Sequence, residues 1–234
     1  MNHKRIGIIG GVGPSATILY YRGIIEGYYK IKGDQHFPEV VIHSLDFEEV
    51  NGYFKRGELG LLSDKLVRVI EGFQDAGCDF ALFACNAMHL VFERVQNRVS
   101  LPMLNIIDCV LREVLRQSVK KVGLMGTTFV MESGLYRQPL EQLGIECLQL
   151  YEGEQKWIMK VIMGDLQQSR IPHETVARLL KDVQVLKERE AEGVILACTD
   201  LPAAITDENS SLPLFDSTKI HVKTILDWSL GTAN

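Results

Sequence analysis

Two textures alternate along the chain. Short apolar-rich runs occur at 6–10, 40–45, 80–83, 102–106, 122–126, 145–150, 193–197 and 212–216, and those at 6–10, 80–83, 122–126 and 193–197 contain no polar side chain. Runs of this length and composition predict strands buried on both faces, as in parallel sheets. Between them, apolar residues recur at helical spacing: from Ala16 to Tyr28, then at Leu62, Leu66, Val69, Ile70 and Phe73. The same spacing returns from Asp108 to Gln117, at Val176, Leu179, Leu180, Val183 and Leu186, and at Ile220, Ile225 and Trp228. A further helix is expected to begin near Ala87, and another to run from Thr127-Thr128 through Tyr136. Strand and helix therefore alternate, which predicts an α/β fold with right-handed crossovers and parallel strands.

The order restarts midway. Ile6-Gly7-Ile8-Ile9-Gly10, a loop and a helix through Tyr20 are matched by Val122-Gly123-Leu124-Met125-Gly126, Thr127-Thr128 and a helix through Tyr136, each displaced by 116 residues. The runs ending in Ala84-Cys85 and Ala197-Cys198 are displaced by 113. Such closely matching offsets argue for duplication of one α/β unit. The expected architecture is two pseudo-symmetric lobes, each a parallel sheet flanked by helices, with an active site in the cleft between them. Residues 1–112 with 209–234 would form the first lobe and 113–208 the second.

Composition narrows the setting. The 234 residues carry a formal charge of −5 and 46% apolar side chains, ordinary for a globular protein, so no nucleic-acid partner is expected. No apolar run reaches the ~18 residues of a spanning helix, and no signal-like segment precedes the first strand, so neither membrane association nor export is expected. Five cysteines, an odd number without a CxxC pair, point to free thiols in a reducing cytoplasm.

Ligands of open parallel sheets lie beyond the carboxyl ends of the strands, where Cys85 and Cys198 both stand. If the lobes face one another, so do the thiols. A disulfide suits neither the compartment nor a cleft. Proton transfer does: a thiolate removes a proton from one face of a carbon while a thiol supplies one to the other, with no net redox change and no metal. Strand ends leading into helix N-termini favour thiolates and can hold a carboxylate.

Ala84-Cys85-Asn86-Ala87-Met88-His89 and Leu196-Ala197-Cys198-Thr199-Asp200-Leu201-Pro202 resemble the two signature stretches of the cofactor-independent aspartate/glutamate racemase family. Gly10-Gly11-Val12-Gly13-Pro14 is similar to its N-terminal loop, and His43-Ser44-Leu45-Asp46-Phe47, Leu124 to Thr127 with Met131, and Leu214-Phe215-Asp216-Ser217 with Ile220-His221 extend the likeness over nearly the whole chain. The resemblance implies a pyridoxal-independent amino-acid racemase for aspartate, glutamate or a broader range, needing no cofactor or metal. Cys85 and Cys198 would be the opposed acid and base. Asn86 and Thr199 would hold the substrate's amino or carboxylate group, Thr127, with Thr128 beside it, a carboxylate, and the loop Gly11, Val12 and Gly13 would approach through its backbone. Asp200, often Glu in the family, would orient or tune Cys198; Ser44 and Met131 complete the implied pocket. Ala87 stands where threonine is usual, which removes a hydroxyl, and Asp46, Glu48 and Glu49 occupy a loop where aspartate-specific members tend to have arginine. The resemblance further implies a homodimer acting on a small amino acid.

Other readings attach to the same residues. Gly11-Val12-Gly13-Pro14-Ser15-Ala16 fits the G-x-G-x-x-A of nicotinamide sites, but Asp46 follows about 30 residues later rather than ~20 and the cysteine pair goes unused. A two-lobed amino-acid or carboxylate binder without turnover, or a hydrolase or decarboxylase of similar fold, is the remaining alternative. His89 reads as a hydrogen-bonded structural residue rather than half of a Cys/His dyad; His43 and His221 read equally as pocket wall or structure. Cys78, Cys109 and Cys147 read as packing. Asp46 with Glu49 reads as a helix cap, as do Asp216 and Ser217, while Thr127 and Thr128 could cap as well as bind.

Overall fold

The computed structural model describes residues 3–168 and 170–232. The chain forms two compact units, Met1–Ile106 with His221–Asn234, and Ile107–Ile220.

In the first unit β1 (Ile6–Gly10) leads through a glycine loop to α1 (Pro14–Lys32), then β2 (Val40–Ser44), α2 (Phe47–Arg56), α3 (Leu59–Asp75) and β3 (Phe80–Phe83). A 3-10 turn over Ala87–Val91, the short α4 (Phe92–Gln96) and β4 (Met103–Leu104) follow. The four strands are parallel in the order β2-β1-β3-β4. Ile9, Leu62, Leu66, Ile70, Phe73, Phe83 and Met88 form part of a single apolar core. The helix expected from Ala87 is thus split, because the 3-10 turn brings His89 under the strand end before α-helix begins.

The chain then enters α5 (Ile106–Arg116) and the second unit: β5 (Lys121–Gly126), α6 (Thr128–Ser133), α7 (Arg137–Gln142), β6 (Glu146–Gln149), α8 (Glu152–Gly164), α9 (His173–Glu188), β7 (Gly193–Ala197) and β8 (Leu214–Asp216). These strands are also parallel, in the matching order β6-β5-β7-β8, with a core of their own. α10 (Ser217–Ser229) starts in the second unit and ends in the first. Two four-stranded parallel sheets flanked by helices are the doubled α/β architecture that the repeated pattern predicts.

Three details differ from the pattern. The helix expected through Tyr136 breaks at Gly134, whose φ of +76° ends α6 in the left-handed region that a residue with a Cβ disfavours. α8, with no regular apolar stripe to announce it, lies between β6 and α9. Residues 209–220, which the repeat pattern groups with the first lobe, belong to the second unit, because β8 pairs with β7 (Val194 with Leu214, Leu196 with Asp216). Its first boundary likewise falls at 106/107 rather than 112/113. Among the described residues, no helix is long and apolar enough to cross a membrane.

Candidate active site

In the first unit, the register that sets Ile9 beside Phe83 brings the loop after β1 next to the end of β3, and the Ala84 amide donates to the Ile9 carbonyl at 2.9 Å. Cys85 is half-buried there, followed by buried Asn86 and Ala87. On the other side of β1, Gly10 pairs with Ser44, and the Leu45 amide donates to Gly10 at 3.0 Å. Gly11 has φ +86° and lies so close to Ser44 and Leu45 that a Cβ would strike the Leu45 backbone. Glycine is therefore required twice over, by dihedral and by space. Its amide donates to Thr17 Oγ1 at 2.8 Å, and Gly13, after buried Val12, stands at the N-cap of α1. Gly11, Val12, Gly13, Ser44, Cys85, Asn86 and Ala87 thus all lie at the carboxyl ends of β1, β2 and β3.

His89 explains how this strand end is held. Its Nδ1 lies 3.0 Å from the Cys85 carbonyl, an acceptor, and the Ile106 amide donates to its Nε2 at 3.2 Å. Those partners require the neutral Nδ1–H tautomer. Burial agrees, lowering the imidazole to about 4. The ring stacks on Phe92, 5.3 Å between centroids. His89 is a structural tie rather than the base of a dyad, as expected. His221 is also buried, with Nδ1 2.8 Å from the Tyr20 hydroxyl, whereas His43 is exposed on β2. Of the readings left open for these two, His221 is structural.

The acidic loop after β2 is committed elsewhere. Asp46 caps α2 by accepting the Glu49 amide at 2.9 Å, and the Glu49 carboxylate accepts from Lys65 at 2.6 Å and from Tyr53 at 3.0 Å. Those bonds hold Glu49 below its ordinary range.

The second unit repeats the arrangement. Gly126 pairs with Ala197, which sets Thr127 beside Cys198 across adjacent strands. Thr127 is the N-cap residue of α6, yet its side chain makes no capping bond, and its Oγ1 is buried without a hydrogen-bond partner among the described residues. Thr128 opens α6 half-buried, and buried Met131 lies one turn on, its amide donating to the Thr127 carbonyl at 3.0 Å. Cys198, Thr199 and Asp200 are all buried. The Cys198 thiol donates to Asp200 Oδ2 at 3.9 Å, and burial raises that carboxyl to about 6, against the lowering effect of the thiol's bond. Asp216 caps α10 by accepting the Thr218 and Lys219 amides at 2.9 and 3.1 Å, as the pattern predicts.

Residues 9–225 match the family model described as Asp/Glu/Hydantoin racemase. The chain belongs to this family. It is 25% identical to the broad specificity amino-acid racemase RacX of Bacillus subtilis, over 97% of this chain and 98% of that one. It is 26% identical to the glutamate racemase of Aquifex aeolicus over 66% of this chain and 60% of that one. The crystal structure of an aspartate racemase homologue from Pyrococcus horikoshii superposes with a TM-score of 0.84 at 33% identity, covering 97% of this chain and 99% of that one.

Within this racemase-family chain the remaining thiols are packing groups. Cys78 and Cys109 are buried, and burial pushes Cys147 up to about 12, far from a thiolate at neutral pH. Two features have no counterpart in the sequence pattern: the tie between His89 and Ile106, and the buried Tyr20–His221 pair. The recurrence of Tyr20 as Tyr136 is a signal that could have found the second, since both tyrosines are fully buried.

Proposed function

We propose that the protein is a pyridoxal-independent amino-acid racemase in which Cys85 and Cys198 exchange protons with opposite faces of the substrate Cα. The observation that carries this reading is positional: each thiol follows the same strand in two sheets of identical order, with polar residues next in line. One thiolate takes the Cα proton and becomes a thiol; the electron pair delocalises toward the α-carboxylate. The opposite thiol returns a proton to the other face and becomes the thiolate. Protons and electrons balance, and the next turnover runs the other way.

On this reading Asn86 and Thr199 hold the amino or carboxylate group, and Thr127, whose hydroxyl has no partner among the described residues, donates to a carboxylate along with nearby amides. The Gly11–Gly13 loop would approach the substrate through the backbone of Val12 and Gly13, the Gly11 amide being bonded to Thr17 Oγ1. Asp200 acts on Cys198 through the bond they share. The substrates are aspartate and glutamate or a broader set of amino acids. The range is supported from both sides, by the aspartate racemase homologue and by RacX.

The test is a panel of L- and D-amino acids in D2O without added cofactor, followed by NMR. Exchange of the Cα proton with loss of optical purity is expected for at least one acidic amino acid. Cys85→Ala and Cys198→Ala should each abolish racemisation with the fold intact, and each should keep exchange mainly for the enantiomer whose proton faces the surviving thiol. Full racemisation by either variant, or no exchange with any amino acid, would overturn the proposal.

A further inference from the structure

Within the second unit, α8 and α9 enclose a groove of about 450 Å³ whose lining shares no residue with the candidate active site. Trp157 and Val161 of α8 form one wall, Thr175 and Arg178 of α9 the other. The helices pair antiparallel. The Arg178 guanidinium lies 3.9 Å over the Trp157 ring, while Glu154, one turn before Trp157, acts electrostatically on Asp182, one turn after Arg178. Thr175, Arg178 and Asp182 therefore follow one stripe of α9, at intervals of three and four residues. The volume falls within the ~300–1,000 Å³ usual for small-molecule sites.

Charge along this stripe is left unmatched. Arg178 and Asp182 stand four residues apart, about 6 Å along the helix, the spacing at which opposite charges ordinarily pair. They do not pair here, because Arg178 lies over Trp157 instead. Asp182 is only 5% exposed, and its Oδ2 has no hydrogen-bond partner among the described residues. Burial raises this carboxyl and Glu154 adds to the effect, with Arg178 acting the other way. A buried carboxylate without a donor costs stability, so its presence calls for a partner from outside the chain. The other charged residues of the groove do not supply one. Lys160 and Glu174 line it as exposed side chains, and Asp165 is paired with Arg170 at 3.6 Å.

We infer that this groove is an amino-acid site separate from the two cysteines, taking a free α-amino acid with an apolar side chain. The ligand's ammonium donates to Asp182, its carboxylate accepts from the Arg178 guanidinium, and its side chain lies along Trp157 and Val161. A zwitterion fits because it carries both complementary charges on neighbouring atoms and so joins the two groups that α9 leaves apart. An amine alone would leave Arg178 unanswered. An acid alone would leave Asp182 buried and unpaired. Nothing in this arrangement acts on the ligand chemically, so the site binds without turnover, as an effector site does.

The inference is independent of the racemase reading. It is tested by titrating the full chain with L-leucine at pH 8, where Asp182 is ionised, and following fluorescence in a Trp228→Phe background, which leaves Trp157 as the one tryptophan. A saturable change with a Kd below ~1 mM is expected. Leucinamide, which lacks the carboxylate, and 4-methylpentanoate, which lacks the ammonium, should each bind at least ~10-fold more weakly. Asp182→Asn and Arg178→Gln should likewise weaken leucine at least ~10-fold with an unchanged circular dichroism spectrum. Thr127→Ala, altered at the candidate active site, should bind leucine within about twofold of the parent, since it touches neither charge. If Trp228→Phe fails to fold, calorimetric titration of the parent chain and the other variants carries the test. No saturable binding of leucine, methionine or phenylalanine, leucinamide bound as tightly as leucine, or full affinity in folded Asp182→Asn would overturn the inference.

Discussion

Asp200 and His89 show how differently two polar residues beside a thiol can be employed. Asp200 is in contact with Cys198 and titrates at about 6, so it becomes anionic within the working range and can then accept the thiol's proton. On the racemase reading, the rate in the direction that uses Cys198 as base should rise along a limb near pH 6. Asp200→Asn should remove that limb and lower kcat/KM by about 100-fold, as a pH–rate profile would report. His89 remains neutral above about 4 and holds the backbone under Cys85. His89→Ala should cost about 3 kcal/mol in a urea titration, through two lost hydrogen bonds and the stacked ring. The cysteines were legible because the same run of residue types recurs before each. The tie made by His89 was not, because its second partner, Ile106, is recruited by folding and has no distinguishing side-chain chemistry.

Among the elements, the strands were the most legible. β1, β3 and β7 are buried along their whole length, so each had to be apolar throughout. α8 was illegible for the opposite reason: only Ile158, Val161 and Ile162 are buried in its 13 residues, too few to mark a period. Asp182 of α9 is a cost accepted at this level. It is buried, its Oδ2 has no hydrogen-bond partner among the described residues, and burial raises it to about 6. A folded-state value above the unfolded one, about 3.9, means that the folded chain holds the proton more tightly. Its favourable contribution is complete below pH ~4 and is lost as pH rises through about 6. Asp182→Asn should therefore flatten the stability profile between pH 4 and 7 and raise stability at pH 8 by about 2 kcal/mol, measured by denaturant titration at several pH values.

For the molecule as a whole, the duplication was legible in two offsets, but the assignment of the last helix was not. α10 continues directly from β8, yet from His221 onward it belongs to the first unit, where Val222 and Leu226 meet α1 and the Lys4 amide donates to Ser229 at 3.0 Å. A chain ending at Ile220 should therefore lose protection in hydrogen exchange throughout the first unit while β5 to β8 keep theirs. Protection retained in β1 and β3 would count against that assignment. The consequence extends to biosynthesis. Domains emerging from a ribosome generally fold in the order in which they are made. Here the half begun first is completed only after the other, since its closing segment, from His221 onward, follows the whole of the second unit along the chain. The later half has every residue it needs before the earlier one is complete.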